Sequence, residues 1–496
     1  MDTKAFFATH PKYVLPFDPF AASFYMVSRY EEHLPFIKDK HDRFEAAQSL
    51  AFQKGFLHKP IVNIYAKKIR EILAEAFPEL QFKDKKYEYV STIDIDNAWA
   101  FKEKGFLRTT GALLRSLSRF DFHSIVERVS VLVNKNPDPF YMYDHLFEIQ
   151  NKYKICTIYF FLLGDYAEND KNVSGSRRNF QTLIKSIADY CEVGIHPSYA
   201  SNTDSSKLKL EKKRLEKIVR REITKSRQHF LKLSFPATYH DLIENDITDD
   251  YTMGFADEVG FRAGICSSFY YYDLNREIQT RLRIHPFAVM DATLRFYMKV
   301  QPAEVMSYVG PLIKEVKAVN GTFMSLWHNE SISNMKPWEG WKEVYEDVVK
   351  QHIKLIKHLC HTEINKSKWD NTIKLSPEGI VYAASWYLDI VSPGWEALMD
   401  DDYKFIFPLC NRSKFGFSYL YQPHFTQQGG LFSISGFPST NKVKQFLDAI
   451  PEKYKLIEIN LNTSNHIDAF NTGKVSKRRT HHLSLRKPIE GYGKLF

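Results

Sequence analysis

From Tyr87 to His328 the chain repeats one pattern, a short apolar run followed by a longer stretch with apolar residues at helical spacing. The runs are YEYVSTIDI (87–95), CTIYFFLL (156–163), CEVGIHP (191–197), LKLSFPA (231–237), FRAGICS (261–267) and TFMSLWH (322–328). Helical patterns such as 181–190, 207–225 and 302–319 lie between them. A strand, a crossover helix and another strand pair in parallel, with a right-handed connection. The fold class is therefore α/β. Repetition on this scale points to a barrel related to the (β/α)8 type over residues 86–350 rather than an open sheet. In such barrels the chemistry gathers at the C-terminal ends of the strands.

A chain of 496 residues exceeds one ordinary core. Residues 1–85 are Phe-rich and helical in tendency, and read as an accessory region packed onto the strand-bearing segment 86–350. Residues 351–374 read as a linker, and 375–496 as a second α/β domain rich in Tyr and Phe.

Apolar content of 44% and aromatic content of 15% describe a chain with large buried side chains. No run approaches the roughly 20 apolar residues of a membrane helix, and the N-terminus lacks the pattern of a signal peptide. A soluble, cytoplasmic protein is expected. Five cysteines (Cys156, Cys191, Cys266, Cys360, Cys410) stand far apart without a C-x-x-C pair, so free thiols are expected. Ten of the basic residues behind the net charge of +9 fall between Lys207 and Arg227. Glu211, Glu216 and Glu222 interleave with them, and Leu208, Leu215, Ile218, Val219 and Ile223 recur at helical spacing. That is an amphipathic surface helix, not a nucleic-acid-binding one.

Polar groups recur at the expected strand ends. Asp94 and Asp96 close the first run and share one face of a strand, where two like charges are costly unless a cation neutralises them or one carboxyl stays protonated. His196 ends the third run, Arg227 and His229 lead into the fourth, and His328 ends the last. Carboxylates and imidazoles in one place suit zinc or a similar first-row ion, which polarises a carbonyl and lowers the pKa of water. A second carboxylate can take the water's proton, a histidine can protonate the leaving group, and an arginine can keep the base ionised. Core packing is the simpler reading of Trp99 and Trp327, a turn or cap that of Asp249-Asp250, and an exposed loop or groove wall that of Tyr270 to Tyr272.

STIDIDNAW, EVGIHPSY, SRQHF and MSLWHNE, in that order, resemble the polysaccharide deacetylases of carbohydrate esterase family 4. DYTMGF (250–255), GFRAG (260–264) and HPFAVMDATL (285–294) extend the likeness to a divergent bacterial branch, over about residues 1–350. The resemblance implies a distorted (β/α) barrel, a divalent metal and a saccharide or glycan substrate. By position, Asp94 matches the general base and Asp96 the metal-binding aspartate; Ile95 separates the two, which leaves their roles open to exchange. His196 matches the first metal histidine, Arg227 the arginine that orients the base, and His328 the general acid. The second metal histidine of the family falls at Ala200 here. His229 or His240 could replace it, and His229 is favoured for its place beside Arg227. Without such a ligand the alternative is a non-catalytic, glycan-binding barrel.

LSPEGIVYAASWYLDIVSPGWEALMDDDYKFIFPLC and YLYQPHFTQQGGLFS, within 375–496, resemble the first half of a tandem acetyltransferase-like (GNAT-type) fold of the peptidoglycan aminoacyltransferase branch. That resemblance implies either a partner carrying the rest of an acyltransferase fold or a substrate-binding or vestigial module. No Gly-rich loop opens a helix to cradle an acyl-donor pyrophosphate. The leading reading is a metal-dependent deacetylase acting on an N-acetylated saccharide or glycan precursor.

Overall fold

The computed structural model describes residues 7–9, 14–83, 85–352, 356–400, 403–414, 416–467 and 475–477. The chain divides into two compact units, Met1–Ile353 and Lys354–Phe496. The first unit is built on nine strands: β1 (Glu88–Ile95), β2 (Cys156–Leu162), β3 (Glu192–His196), β4 (Lys225–Ser226), β5 (Asp249–Asp250), β6 (Phe269–Asp273), β7 (Ile278–Ile284), β8 (Val289–Met290) and β9 (Thr322–His328). Their order is β6-β7-β5-β4-β3-β2-β1-β9-β8, parallel throughout except for the β6–β7 hairpin. The helices of this unit are α1 (Pro19–Val27), α2 (Leu50–Gln53), α3 (Ile61–Ala76), α4 (Phe106–Ser118), α5 (Phe122–Leu132), α6 (Tyr143–Tyr153), α7 (Arg178–Ala188), α8 (Ser205–Val219), α9 (Ala237–Glu244), α10 (Val305–Ala318) and α11 (Trp341–Lys350).

The apolar runs become central strands because both faces are covered: Ile93, Ile95, Phe160, Phe161, Leu326 and Trp327 are all fully buried. The basic segment folds as α8, with Leu208, Leu215 and Ile218 packed inward. β1 lies between β2 and β9, with Asp94 in register with Phe160 on one side and His328 on the other.

The hydrogen-bonded ladder does not close into the expected barrel, since β6 and β8 stand at its two ends. Two expected strands form other structure instead. In 231–237 the backbone is satisfied by side chains: Asn202 Nδ2 donates to the Lys232 carbonyl (3.1 Å) and Ser234 N donates to Thr238 Oγ1 (2.9 Å). Pro236 lacks a ladder donor, and α9 begins at the next residue. In 261–267 the backbone pairs with the N-terminal region, Phe261 N to the Leu57 carbonyl (2.9 Å) and Val62 N to the Gly264 carbonyl (2.9 Å). Gly264 has φ +62°, which a strand does not accommodate.

A buried ionic cluster ties the N-terminal region to the same unit. Glu32 accepts from Arg262 at 2.5 and 2.9 Å and from Arg29 Nε at 2.7 Å, while Arg29 Nη1 donates to the Arg262 carbonyl (2.5 Å). Each charge in it is paired, which such burial requires.

Close strand packing depends on Gly194 in β3. A Cβ there would lie 2.6 Å from the Phe160 ring and 2.8 Å from the Lys225 carbonyl. Gly194→Ala is expected to destabilise the first unit by about 1–3 kcal/mol. Chemical denaturation followed by tryptophan fluorescence checks this, and an unchanged midpoint would refute it.

The second unit has an antiparallel sheet, β10 (Lys357–Leu359), β11 (Glu396–Asp400), β12 (Phe405–Leu409) and β15 (Phe432–Ser433), in that order. A three-stranded sheet joins β13 (Asn411–Lys414), β14 (Phe417–Leu420) and β16 (Tyr454–Ile457). Helices α12 (Lys366–Leu375), α13 (Ser385–Val391) and α14 (Thr440–Asp448) cover them. β10 and all but the last residue of α12 fall within the stretch expected as a linker, 351–374. Trp369 and Trp395 form the centre of its core, their rings 4.7 Å apart. Among the described residues no helix is long and apolar enough to cross a membrane.

Candidate active site

The C-terminal ends of β1, β3, β4 and β9 open on a cleft of about 470 Å³ lined by Asp94, Asp96, His196, His229 and His328. β3 is two strands from β1, about 9–10 Å across a sheet, yet the side chains lean together at the strand ends. His196 Nε2 comes within 3.2 Å of Asp96 Oδ1, and His229 Nε2 within 3.5 Å of Asp96 Oδ2. Arg227 and His229 follow β4 rather than lead into a strand. Arg227 N donates to the Ile195 carbonyl (3.1 Å) and His229 N to the Pro197 carbonyl (3.2 Å), so both stay at the C-terminal rim.

Asp96, His196 and His229 present one donor atom each, all within 4.8 Å of one another. Their chemistry fits a divalent ion. His196 Nδ1 lies 2.6 Å from the Arg227 carbonyl, which can only accept, so the proton sits on Nδ1 and the Nε2 lone pair faces the cleft. His229 Nδ1 lies 2.9 Å from the Asp170 carboxylate, which orients Nε2 in the same way. Asp96 Oδ1 is buried without a hydrogen-bond partner among the described residues. Donors about 2.0–2.1 Å from a tetrahedral ion stand about 3.3 Å apart, close to the spacings just given.

The charges agree with this. Burial opposes ionisation of Asp96, but the imidazoles of His229, His196 and His328 hold its carboxyl well below the usual range. Burial also opposes the His229 cation, while Asp96 and Asp170 together raise it to about 9. Holding an ion requires that proton to leave, so metal uptake is expected to acidify the medium. Asp170→Asn removes the outer anchor of His229 and is expected to weaken metal binding about 10–100-fold. Competition against a chromogenic chelator measures this, and an unchanged affinity would remove Asp170 from the account.

A second set of groups lies beside the first. Arg227 is buried, stacked over Phe160 (4.9 Å) and Phe287 (5.4 Å), with Nη1 3.6 Å from Asp94 Oδ1. None of its side-chain nitrogens has a hydrogen-bond partner among the described residues, so Asp94 is its nearest counter-charge. On the opposite side His328 Nδ1 lies 2.8 Å from Asp291 Oδ1, and Nε2 points at Asp96 Oδ2, 3.8 Å away. Burial alone would lower His328; the Asp291 carboxylate reverses that and holds it well above the ordinary histidine value.

The other residues singled out in the sequence lie elsewhere. His240 Nε2 pairs with Asp273 (2.7 Å) outside the cleft. Ala200 N donates to Asp170, the carboxylate that also holds His229. Trp327 packs edge-on against Tyr345 and Trp99 against Phe180. Asp249 and Asp250 form β5 rather than a turn; Thr252 donates twice to Asp250, and burial pushes that carboxyl up to about 6. Tyr270 to Tyr272 belong to β6.

Several groups that line the cleft or hold its histidines from behind are not singled out by the sequence. Asp170 sits in a polar loop without pattern, and Asp291 in the segment HPFAVMDATL, which offers a resemblance but no role. Glu330, which burial pushes up to about 7, also lines the cleft. Lys40 and His41 reach it from the N-terminal region, and Phe296, Tyr297 and Trp338 form an aromatic wall.

Residues 1–78 match a family of unknown function (DUF7033). No curated protein matches the chain. Solved structures similar to it include a Mycobacterium smegmatis protein assigned as a polysaccharide deacetylase, 12% identical over 55% of this chain and 86% of that one, with a TM-score of 0.35. A wild-type pseudoenzyme of carbohydrate esterase family 4 from Bacillus anthracis is 12% identical over 54% of this chain and 62% of that one, TM-score 0.25. A mutant of that pseudoenzyme with restored enzymatic activity is 13% identical over 54% and 64%, TM-score 0.23. At these scores the site's own geometry carries the argument.

Proposed function

We propose that the first unit is a metal-dependent hydrolase that removes acetyl groups from an N-acetylated saccharide or glycan precursor. In this reading Asp96, His196 and His229 hold the ion, Asp94 is the general base, Arg227 positions Asp94, and His328 is the general acid. The observation that carries it is a three-donor cluster with anchored imidazoles, flanked by a separate base and a separate acid in one cleft. The two histidines approach Asp96 more closely than Asp94, and Arg227 pairs with Asp94, which supports this assignment of the carboxylates over the exchanged one.

When bound, a divalent ion, zinc in the first instance, polarises an acyl carbonyl and lowers the pKa of water. Asp94 accepts the proton of the attacking water, and Arg227 Nη1, 3.6 Å away, positions it. His328 carries its proton on Nε2 toward the cleft while Asp291 holds Nδ1, so it donates to the departing amine. Phe296, Tyr297 and Trp338 offer ring faces against which a sugar can pack. His229 beside Asp96 supports catalysis over the glycan-binding alternative, which presumes a missing ligand.

Metal analysis of the purified chain, with acetate release from N-acetylated oligosaccharides, tests the reading; a metal-free chain that releases no acetate when zinc is supplied overturns it. The acid can be tested separately. His328 must be protonated to act, so activity falls as pH rises through its pKa. Asp291→Asn removes the charge that raises it and is expected to move the alkaline limb of the rate profile to lower pH. A limb that stays in place would exclude His328 as the acid.

A further inference from the structure

We propose that the α4–α5 hairpin is a docking surface for an anionic lipid bilayer. Both helices turn an apolar stripe to solvent. On α4 it runs through Leu107, Leu114 and Leu117, which are 84, 66 and 53% exposed. On α5 it runs through Phe122, Val126 and Val129, which are 58, 68 and 42% exposed. These spacings, i, i+7, i+10 and i, i+4, i+7, place each set on one helix face. Phe120, 80% exposed, extends the surface across the turn between them. Apolar residues left exposed on two adjoining helices mark a candidate interaction site.

Charge selects the occupant. α4 contains no acidic residue, and Arg115 and Arg119 stand exposed at its C-terminal end with no acidic partner among the described residues. Basic side chains beside an apolar helical face suit the boundary between anionic headgroups and acyl chains. A second copy of the same face would add two more arginines and no acidic residue of α4 to the interface, leaving that charge unneutralised. The hairpin is anchored rather than loose: Arg108 donates to the carbonyls of Lys171 (3.0 Å) and Asn172 (3.2 Å) and stacks over Tyr166. Lys171 adjoins Asp170, the carboxylate that holds His229. The inference stands whether or not the cleft hydrolyses anything.

Flotation of the full-length chain with phosphatidylcholine vesicles containing phosphatidylglycerol tests it, against phosphatidylcholine alone. The chain is expected to float with the anionic vesicles only, and less so as salt rises. Arg115→Glu with Arg119→Glu is expected to lower partitioning about tenfold or more, and Leu114→Glu with Phe120→Glu to abolish it. Circular dichroism melts check that both variants fold. No flotation, equal flotation with neutral vesicles, or unchanged flotation of the folded arginine variant would each overturn the proposal. So would concentration-dependent self-association, lost in the leucine–phenylalanine variant, without flotation.

Discussion

Asp94→Asn is expected to lower acetate release by about 10²–10⁴-fold, the share a positioned general base contributes, while bound metal stays at the wild-type level. The asparagine keeps the shape of the side chain and removes only its basicity. Asp94 is closer to Arg227 than to an unclaimed histidine nitrogen: His196 Nε2 is 3.8 Å from Asp94 but 3.2 Å from Asp96. The change should therefore separate the base from the metal ligands. Steady-state acetate release and metal content, measured on one preparation, read both consequences. Loss of metal together with activity would instead assign Asp94 to the ion and exchange the two carboxylate roles.

The second large effect is expected at His229. His229→Ala removes one of three donors and should reduce metal affinity by more than about 100-fold, the upper end of what loss of an outer-sphere anchor costs. Activity should fall with it. His240→Ala should change neither, because His240 is engaged with Asp273 outside the cleft. Inductively coupled plasma analysis after dialysis distinguishes the two variants. Equal metal content in His229→Ala and wild type would leave Asp96 and His196 as the only protein ligands and favour a binding module.

Strand ends were the most readable part of the chain. TFMSLWH was expected as a strand and is one from Thr322 to His328, and YEYVSTIDI became β1 with only its first residue outside. Both are central and covered on two faces, so a continuous apolar run is a sufficient signal. The readings at 231–237 and 261–267 failed for the opposite reason. Their backbone groups pair with Asn202 and Thr238, and with Leu57 and Val62, and a residue's own neighbours do not announce such partners. The β6–β7 hairpin went unread because β6 stands at the edge of the sheet and β7 is exposed at four of its seven positions, so it carries no continuous apolar run.

The candidate site divides in the same way. Asp94, Asp96, His196 and His328 stand out in the chain because each closes or directly follows a strand, and strand ends in a parallel sheet face one opening, whereas Arg227 stands out only through the SRQHF segment and follows β4, a strand too short to announce itself. Their choice over other polar residues is local information, carried by short segments. Which imidazole stands in for the one absent at Ala200 is not local. It depends on Asp170, fifty-nine positions from His229, holding Nδ1 so that Nε2 meets Asp96. The protonation of His328 likewise depends on Asp291 from a neighbouring strand end. Residue type and spacing specify where a cation can be held and which groups can move a proton. Orientation, tautomer and charge state come from contacts made across the fold, because those energies depend on distance and burial rather than on order along the chain.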